Sequence, residues 1–356
     1  MDASRGHKEV LQVNNLTMSI LLPTYNRAAS VLRTLNSIRE QDFSNFEILV
    51  WDDCSKDDTS EKVRGIDDDR IRYHRNDENM GLTRNLQACY EKAAGDIIFL
   101  MADDDLLLQG ALLKTRDAFL RGGQIGVVTR PYYWFWSDPR KPIRAVLAYD
   151  RSRDSEISIF QGRKEIGALF RSAGQMSGLA FRRSYVDVPF QEDIFVTHVY
   201  PFASILRKYK AVYLRDYTVA VRTPLSISSH RQDVYVTSPL QSWVRMFCTL
   251  YPGVEHAELR KNCIDFIAKD TEVGLIQIKT ATSSNQAVLR EISTILSYRP
   301  RSAFDLDFCL STLMAVLTPG RILRRVVDFY KLHLLSKIVS TKMDDQALQE
   351  MTNAVS

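Results

Sequence analysis

The chain has 356 residues, of which 25% are charged and 45% hydrophobic, and its formal net charge is +4. Such a length suits about two domains, or one large α/β domain with a C-terminal addition. The basic excess is too mild to indicate nucleic acid as a partner.

Cysteines and apolar runs bear on the compartment. The five cysteines are scattered without C-x-x-C spacing, which indicates neither a zinc site nor a disulfide framework and fits a reducing, cytoplasmic compartment. Residues 1–16 carry several charges and no apolar run, so they predict a flexible leader and not a secretory signal. No segment reaches the roughly 18 consecutive apolar residues that span a bilayer. We therefore expect a protein that is soluble or bound to a membrane surface.

Strand-like and helix-like patterns alternate through the first third of the chain. In chain order, the predicted strands are Met18–Leu22, Phe46–Trp51, Ile71–His74, Asp96–Met101 and Gly126–Thr129. The predicted helices are Ala28–Glu40, Ser60–Arg64, Leu82–Ala94 and Leu107–Leu120. This rhythm indicates βαβ units and an α/β fold with a doubly wound, mostly parallel sheet. We place this domain at residues 17–234, followed by a helical C-terminal region at residues 235–356.

Polar residues collect where three of these strands end. The clusters are Pro23-Thr24-Tyr25-Asn26-Arg27, Asp52-Asp53-Cys54-Ser55 and Asp103-Asp104-Asp105. One cluster alone would be ordinary turn chemistry, in which Pro, Asn, Asp and Ser dominate. Because open α/β sheets bind ligands at the carboxyl ends of their strands, three clusters at one sheet edge predict a binding crevice.

The aspartate triplet follows a buried apolar strand. Crowded carboxylates beside a low-dielectric core cost several kcal/mol each when uncompensated, so a divalent cation held by Asp103 and Asp105 is one interpretation. The alternative is a helix start, because Asp also caps helices and residues 106–120 look helical.

Each cluster suits part of a nucleoside diphosphate. The turn at Pro23 can present Tyr25 to a planar base, while Asp52 or Asp53 can accept a hydrogen bond from a base N–H or a ribose hydroxyl. Arg84, at a predicted helix start, can meet the nucleotide or be a surface arginine beside a cap. Neither G-x-G-x-x-G after the first strand nor G-x-x-x-x-G-K-[ST] occurs, so metal is expected to hold the diphosphate in place of a glycine loop.

The segments LLPTYNR, WDDCSKDDT, NMGLTRN and FLMADDD together resemble those of the family-2 glycosyltransferases, over about residues 18–119. The resemblance implies a GT-A fold and sugar transfer from a nucleoside diphosphate donor, usually with inversion and with Mn²⁺ or Mg²⁺ on a D-x-D motif. By position, it implies a nucleotide site formed by Pro23, Tyr25, Asp52, Asp53, Arg84, Asp103 and Asp104. It makes Asp103 and Asp105 the metal ligands, with Asp104 beside the backbone or the sugar.

The acceptor hydroxyl needs a general base. The family usually places the base in an acidic pair after a stretch resembling residues 177–183, and here Glu192-Asp193 follows that stretch. The helix that normally begins at the pair starts later, near His198. Asp193 is the base if the register follows the acidic pair, and His198 is the base if it follows the helix. Since an imidazole is a competent base at neutral pH, we favour His198.

Two segments have both a functional and a plain interpretation. Residues 223–231 form a polar connection after a strand-like Ala211–Arg222, from which His230 or Arg231 could reach the diphosphate as part of a lid. A plain surface loop is the alternative. The aromatic run at residues 131–136 could stack on an acceptor sugar, although aromatic side chains more often fill cores.

The last strong pattern covers residues 321–339, which intersperse arginines and lysines with apolar residues. A basic amphipathic helix of this kind can lie on an anionic membrane surface, and that location would suit a lipid-linked acceptor. Packing on the catalytic domain, or on a second copy of the chain in a homo-oligomer, is the alternative.

We therefore expect a cytoplasmic, metal-dependent glycosyltransferase of surface polysaccharide or lipopolysaccharide synthesis. Its donor would be a nucleotide sugar, foremost a UDP-sugar, and its acceptor a glycan or lipid-linked hydroxyl. A nucleotidyltransferase acting on a sugar phosphate is an alternative, but it should carry a basic, glycine-rich phosphate loop that the first strand lacks. The other alternative is an inactive nucleotide-sugar-binding subunit, against which the intact Asp103 and Asp105 argue.

Overall fold

The N-terminal part alternates strands and helices, as the sequence pattern predicts. The computed structural model describes residues 16–223 and 232–331. Its first strands are β1 (Met18–Thr24), β2 (Phe46–Asp52), β3 (Ile71–Arg75), β4 (Ile97–Leu100), β5 (Leu106–Leu107) and β6 (Ile125–Thr129). The helices among them are α1 (Ala28–Arg39), α2 (Thr59–Arg64), α3 (Leu82–Glu91) and α4 (Ala111–Leu120).

The middle of the chain consists of short strands with two helices. The strands are β7 (Tyr132–Phe135), β8 (Pro142–Val146), β9 (Ser155–Ile157), β10 (Ala180–Arg182), β11 (Lys210–Tyr213) and β12 (Val219–Arg222). The helices are α5 (Arg163–Ser172) and α6 (Val199–Ile205).

The C-terminal region is helical, as predicted. Its helices are α7 (Pro239–Leu250), α8 (Ala257–Thr271), α9 (Gly274–Thr282), α10 (Asn285–Tyr298), α11 (Leu306–Leu317) and α12 (Gly320–Tyr330). Short 3₁₀ turns lie at Arg183–Tyr185, Gln232–Val236 and Pro300–Phe304. Within residues 16–223 and 232–331, none of the helices combines the length and the apolar character needed to cross a membrane.

The described strands form two sheets. The larger has the order β3-β2-β1-β4-β10-β6-β11-β9, and the smaller has the order β5-β12-β7-β8. In the larger sheet the pairs β3–β2, β2–β1, β1–β4 and β6–β11 are parallel, whereas β10 is antiparallel to both β4 and β6. The predicted mostly parallel α/β sheet is confirmed, with β10 reversed in its middle and β9 reversed at its edge.

Central strands are apolar along their length because both faces of the sheet are covered. Leu21 of β1 faces the cluster on one side of the sheet, while Ile20 and Leu22 face the cluster on the other. The first of these clusters also contains Phe247 of α7 and Leu275 of α9. One hydrophobic core thus continues from the sheet into the C-terminal helices, and the domain division at residues 234 and 235 stays a prediction.

Two predicted elements were placed wrongly. The predicted helix Leu107–Leu120 begins only at Ala111, because Leu106 and Leu107 pair with β12 as a short strand. The strand-like segment Ala211–Arg222 is divided into β11 and β12, which belong to different sheets. The aromatic run at residues 131–136 follows its plain interpretation, since Tyr132, Tyr133 and Phe135 are buried in β7.

Candidate functional site

The carboxyl ends of β1, β2 and β4 lie side by side. Thr24 is the register partner of Asp52, and the backbone N–H of Met101 donates to the carbonyl of Leu21 at 3.0 Å. The polar clusters that follow these three strands are therefore neighbours at one edge of the sheet, where open α/β sheets bind their ligands.

Hydrogen bonds join the loop after β1 to the loop after β2. The backbone N–H of Asn26 donates to Ser55 Oγ at 2.8 Å, and Asn26 Oδ1 accepts from the backbone N–H of Lys56 at 2.7 Å. Asn26 adopts a φ of 53°, which asparagine tolerates better than most residues. Pro23 is buried at the end of β1, whereas Tyr25 is 40% exposed. Tyr25 is thus the ring in this loop that a planar ligand can reach.

The side chains of Asp52 and Asp53 are both buried. Asp52 accepts hydrogen bonds from the hydroxyl of Tyr73 at 2.5 Å and from the backbone N–H of Ser55 at 2.8 Å. Burial, together with the hydrogen bond to Asp52, raises the pKa of Tyr73 to about 12. Asp52 therefore fixes the loop after β2 from below.

Asp53 ties this loop to the start of α3. Its carboxylate accepts from Asn76 Nδ2 at 3.0 Å and from the backbone N–H groups of Met80 and Gly81 at 2.8 and 2.9 Å. Gly81 has a φ of 80°, a conformation that suits glycine. The hydrogen bonds of Asp53 therefore fix the turn that precedes Arg84.

Arg84 lies in the first turn of α3 and pairs with Glu192. Arg84 Nε donates to Glu192 Oε1 at 2.6 Å, and each side chain is 67% exposed. This ion pair joins the acidic pair Glu192-Asp193 to the start of α3.

The three aspartates after β4 have different surroundings. Asp105 is 1% exposed; its Oδ2 accepts from Gln175 Nε2 at 2.7 Å and from Ser177 Oγ at 2.6 Å, and its Oδ1 accepts from the backbone N–H of Arg222 at 2.9 Å. Asp103 is partly exposed, and its Oδ1 lies 3.9 Å from Arg27 Nε. Asp104 is also partly exposed. Asp103 and Asp104 are therefore the members of the triplet that a ligand can approach.

The triplet carries an electrostatic conflict. Burial and the adjacent Asp104 raise the pKa of Asp103 to about 7, and the same two causes raise the pKa of Asp105. Burial also raises the pKa of Asp104, a shift that the charges of Arg27, Arg222 and Arg33 oppose. A divalent cation at the accessible carboxylates would relieve this repulsion.

The residues present fit a cation that is shared with a phosphate ligand. No group of three or more His, Cys, Asp or Glu side chains forms a ready-made metal cage in the described parts of the chain. Mg²⁺ commonly takes only one or two carboxylates from the protein and completes its shell with phosphate oxygens and water. The triplet does not serve as a helix cap, because α4 begins at Ala111 after Gly110.

The two candidates for the general base are both largely enclosed. The Asp193 side chain is 3% exposed, and its Oδ1 accepts from the backbone N–H groups of Phe195 and Val196 at 2.8 and 3.2 Å. His198 directly precedes α6, and its Nε2 lies 3.0 Å from the carbonyl of Ala173. Burial lowers the pKa of His198 to about 4, so its imidazole is neutral and weakly basic at neutral pH. His230 and Arg231, the predicted lid residues, lie outside the described residues.

Residues 19–178 match the family model described as Glycosyl transferase family 2. This segment belongs to glycosyltransferase family 2. It contains all but the first residue of β1, the strands β2 to β4 and all three strand-end clusters, so the resemblance predicted from the four sequence segments is confirmed.

Curated relatives match about a third of the chain or less. Over 98 residues the chain is 40% identical to the GalNAc(5)-diNAcBac-PP-undecaprenol beta-1,3-glucosyltransferase of Campylobacter jejuni, covering 27% of this chain and 32% of the relative. Over 117 residues it is 28% identical to the UDP-Glc:alpha-D-GlcNAc-diphosphoundecaprenol beta-1,3-glucosyltransferase WfgD of Escherichia coli, covering 31% and 46%. The chain thus spans less than half the length of either relative.

Solved structures of S. aureus TarS 1-349 show a similar fold. The complex with UDP covers 92% of both chains with a TM-score of 0.58 at 16% identity. The complex with UDP-GlcNAc also has a TM-score of 0.58, at 17% identity, and covers 92% of this chain and 93% of TarS 1-349. The family 2 segment and the helices that follow it therefore have the GT-A glycosyltransferase fold.

Several residues of this edge were missed by the sequence prediction. Gln175, Ser177 and Arg222 hold Asp105, and Tyr73 holds Asp52. Ser177 is the first residue of the stretch 177–183 that resembles the family, so the sequence did carry a signal for this residue. Nothing in the sequence links Gln175 or Arg222 to an aspartate 70 or 117 residues away.

Proposed function

We propose that this protein transfers a sugar from a nucleoside diphosphate sugar to a hydroxyl of a glycan or lipid-linked acceptor in surface polysaccharide or lipopolysaccharide synthesis. The observation that carries this proposal is the convergence of three polar strand ends within a family 2 segment. The names of the two curated relatives, both glucosyltransferases acting on diphosphoundecaprenol-type acceptors, support the acceptor class.

The donor is proposed to be a UDP-sugar. The name of WfgD includes UDP-Glc, and TarS 1-349 has been crystallised with UDP and with UDP-GlcNAc. In this chain the exposed ring of Tyr25 would stack on the base. Asp53 would act by holding the Met80–Gly81 turn beside the nucleobase. Arg84 would face the nucleotide or hold Glu192.

We propose that Asp103 and Asp104 hold Mn²⁺ or Mg²⁺ with the donor diphosphate. The sequence prediction paired Asp103 with Asp105, but three hydrogen bonds already occupy the buried carboxylate of Asp105. The bound cation would stabilise the charge that develops on the leaving diphosphate, as a Lewis acid. Asp105 would then anchor the loop that carries Asp103 and Asp104.

The general base is proposed to be Asp193, with His198 as a positioning residue. A histidine whose pKa is lowered to about 4 is a poor proton acceptor for an alcohol at neutral pH, since catalytic pKa values work best near the operating pH. Asp193 Oδ2 makes neither of the two backbone hydrogen bonds that engage Oδ1, and it lies 4.0 Å from Arg245 Nη1. His198 would support the site through its bond to Ala173.

We propose that the C-terminal apolar face contacts an anionic membrane at its cytoplasmic side. This face is defined by exposed apolar side chains of α11 and α12: Leu306, Leu310, Leu313, Leu317, Ile322, Val326 and Phe329. Exposed Arg321 and Arg325 flank it on α12 and complement anionic headgroups. Of the predicted segment 321–339, residues 332–339 lie outside the described part. Five free cysteines, two of them exposed, fit a reducing compartment.

The test is release of the nucleoside diphosphate from a panel of nucleotide sugars, with Mn²⁺, with Mg²⁺ and with EDTA. We expect release from one donor class, its loss in EDTA, and its loss in Asp103→Asn. Asp117→Asn, at an exposed α4 carboxylate paired with Arg116, is the matched control and should behave as wild type. Equal release by wild type and Asp103→Asn with every donor would refute the metal site. Pyrophosphate release from a nucleoside triphosphate and a sugar phosphate would support nucleotidyl transfer in place of glycosyl transfer.

A further inference from the structure

A cavity of about 280 Å³ lies between the GT-A part and the C-terminal helices. Its walls come from α5 and the turn after it, from the segment before α6, and from α7, α8 and α9. Small-molecule sites are usually concave, with mostly apolar walls and a few polar groups, and range upward from about 300 Å³. This cavity lies just below that range, which limits it to a small ligand.

Aromatic rings form much of the wall. Phe170 and Trp243 meet edge to face with their ring centroids 5.9 Å apart, and Phe195 and Tyr235 are 5.7 Å apart. Aromatic faces suit ligands that have apolar C–H surfaces, as pyranose rings do.

Polar groups are interspersed with these rings. Arg171 Nη2 donates to Asp270 Oδ1 at 2.7 Å on the cavity wall. Gln277, an exposed residue, also lines the cavity. Aromatic surface combined with carboxylate, guanidinium and amide groups offers both stacking and hydrogen bonds to hydroxyls.

The cavity adjoins the site of transfer through its own wall residues. Gly174 lies between Ala173, whose carbonyl is bonded to His198, and Gln175, whose amide is bonded to Asp105. Phe195 donates its backbone N–H to Asp193, the proposed base, at 2.8 Å. One wall is thus continuous with the aspartate triplet and another with the acidic pair.

We infer that this cavity is an acceptor subsite that binds a pyranose unit of the acceptor glycan. The inference rests on the proposed function for the role of the bound sugar, but saccharide binding itself can be measured separately. The rings of Trp243 and Tyr235 provide the stacking surface, and Asp270, Arg171 and Gln277 provide the partners for hydroxyl groups. Because the cavity lies beside Asp193, the bound sugar is on the same side of the site as the proposed general base.

Gly274 offers a way to fill the cavity without disturbing the core. A Cβ at this wall position would meet only Thr271 Cγ2, at 3.7 Å, and the residue is the first of α9, so a side chain is compatible with the helix. Gly274→Leu should occupy the cavity. Val273→Leu, at the adjacent residue that is exposed and does not line the cavity, is the matched control.

The probe is a set of methyl glycosides of glucose, galactose, N-acetylglucosamine and N-acetylgalactosamine, measured by saturation-transfer NMR with wild type and both variants. We expect at least one glycoside to bind wild type and Val273→Leu alike, and its dissociation constant to rise about tenfold in Gly274→Leu, the equivalent of about 1.4 kcal/mol. Thermal unfolding checks that Gly274→Leu is folded. If it is not, Gln277→Ala replaces it, with a weakening of binding expected.

Donor chemistry is measured in parallel, as UDP release by wild type without acceptor. Absence of release would count against the proposed function, whereas loss of glycoside binding in Gly274→Leu would still establish a saccharide site. Failure of every glycoside to bind wild type would overturn the subsite. Equal binding by wild type and a folded Gly274→Leu, or an unchanged affinity in Gln277→Ala, would also overturn it.

Discussion

Ser177 donates a 2.6 Å hydrogen bond to Asp105 across 72 residues of sequence. This bond joins the loop before β10 to the loop after β4. Because Gln175 and the backbone of Arg222 complete the hydrogen bonds of the same carboxylate, Asp105 connects three segments of the site. Asp103 and Asp104 are the two carboxylates of the triplet that remain accessible to a ligand.

Asp105→Ala should destabilise the fold. The substitution leaves the buried hydroxyl of Ser177 and the half-buried donors of Gln175 and Arg222 without their acceptor. An unsatisfied buried donor costs about 1–3 kcal/mol. We expect the free energy of unfolding in urea, followed by tryptophan fluorescence, to fall by about 2 kcal/mol or more.

Asp104→Ala is the matched control for this experiment. It removes a partly exposed charge that raises the pKa of both neighbours, so stability should change little or increase. An equal loss of stability in both variants would contradict the anchoring role of Asp105.

The ion pair between Arg84 and Glu192 should matter for turnover more than for stability. Exposed ion pairs contribute little to stability because water and salt screen them. Arg84→Glu should lower the rate of UDP release by freeing the segment that carries Asp193, while the melting temperature stays close to that of wild type. The double exchange Arg84→Glu with Glu192→Arg should recover part of the rate. No recovery would indicate that Arg84 acts directly on the nucleotide.

His198 should make stability depend on pH. Burial lowers its pKa from 6.5 to about 4 in the folded state, so between these values the unfolded chain binds the proton more readily. The stabilisation by neutral His198 is complete above about pH 6.5 and is lost as the pH falls toward 4, by roughly 3 kcal/mol.

His198→Gln should reduce that dependence, because glutamine can donate to the Ala173 carbonyl without titrating. Urea unfolding at pH 7 and pH 4.5 measures the difference. If wild type and His198→Gln lose the same stability between these two values, the imidazole is not held neutral in the fold.

The C-terminal apolar face should bind anionic vesicles. Wild type should co-sediment with vesicles that contain phosphatidylglycerol and less with pure phosphatidylcholine, and added salt should reduce binding. Leu310→Ser with Leu313→Ser should weaken partitioning by at least about tenfold, since each buried leucine contributes about 1.5–3 kcal/mol.

Leu289→Ser is the control for the vesicle experiment, because Leu289 is an exposed leucine of α10 outside the defined face. Sedimentation of the double variant at the wild-type level would exclude a membrane role for this face. Concentration-dependent self-association of wild type, lost in the same double variant, would assign the face to a second copy of the chain.

Local sequence was sufficient for elements whose pattern and environment agree. The strands β1, β2 and β4 are mostly apolar because both faces of the sheet are covered, and the glycine turn before α3 marks the start of that helix correctly. The sequence failed where a distant partner decides the conformation. Leu106 and Leu107 fit a helical pattern, yet they pair with β12, and no local signal divides Ala211–Arg222 between two sheets.

The family resemblance of residues 18–119, the strand-end clusters and the aspartate triplet could all be read from the sequence alone, because each of them is formed by contiguous residues. Only the tertiary structure distinguished Asp105 from Asp103 and Asp104, since the donors that occupy Asp105 come from residues 175, 177 and 222. The same holds for His198, whose basicity depends on its burial and not on its neighbours in sequence. Burial and long-range hydrogen bonds arise only on folding, and they decide which of several chemically equivalent side chains a ligand can reach.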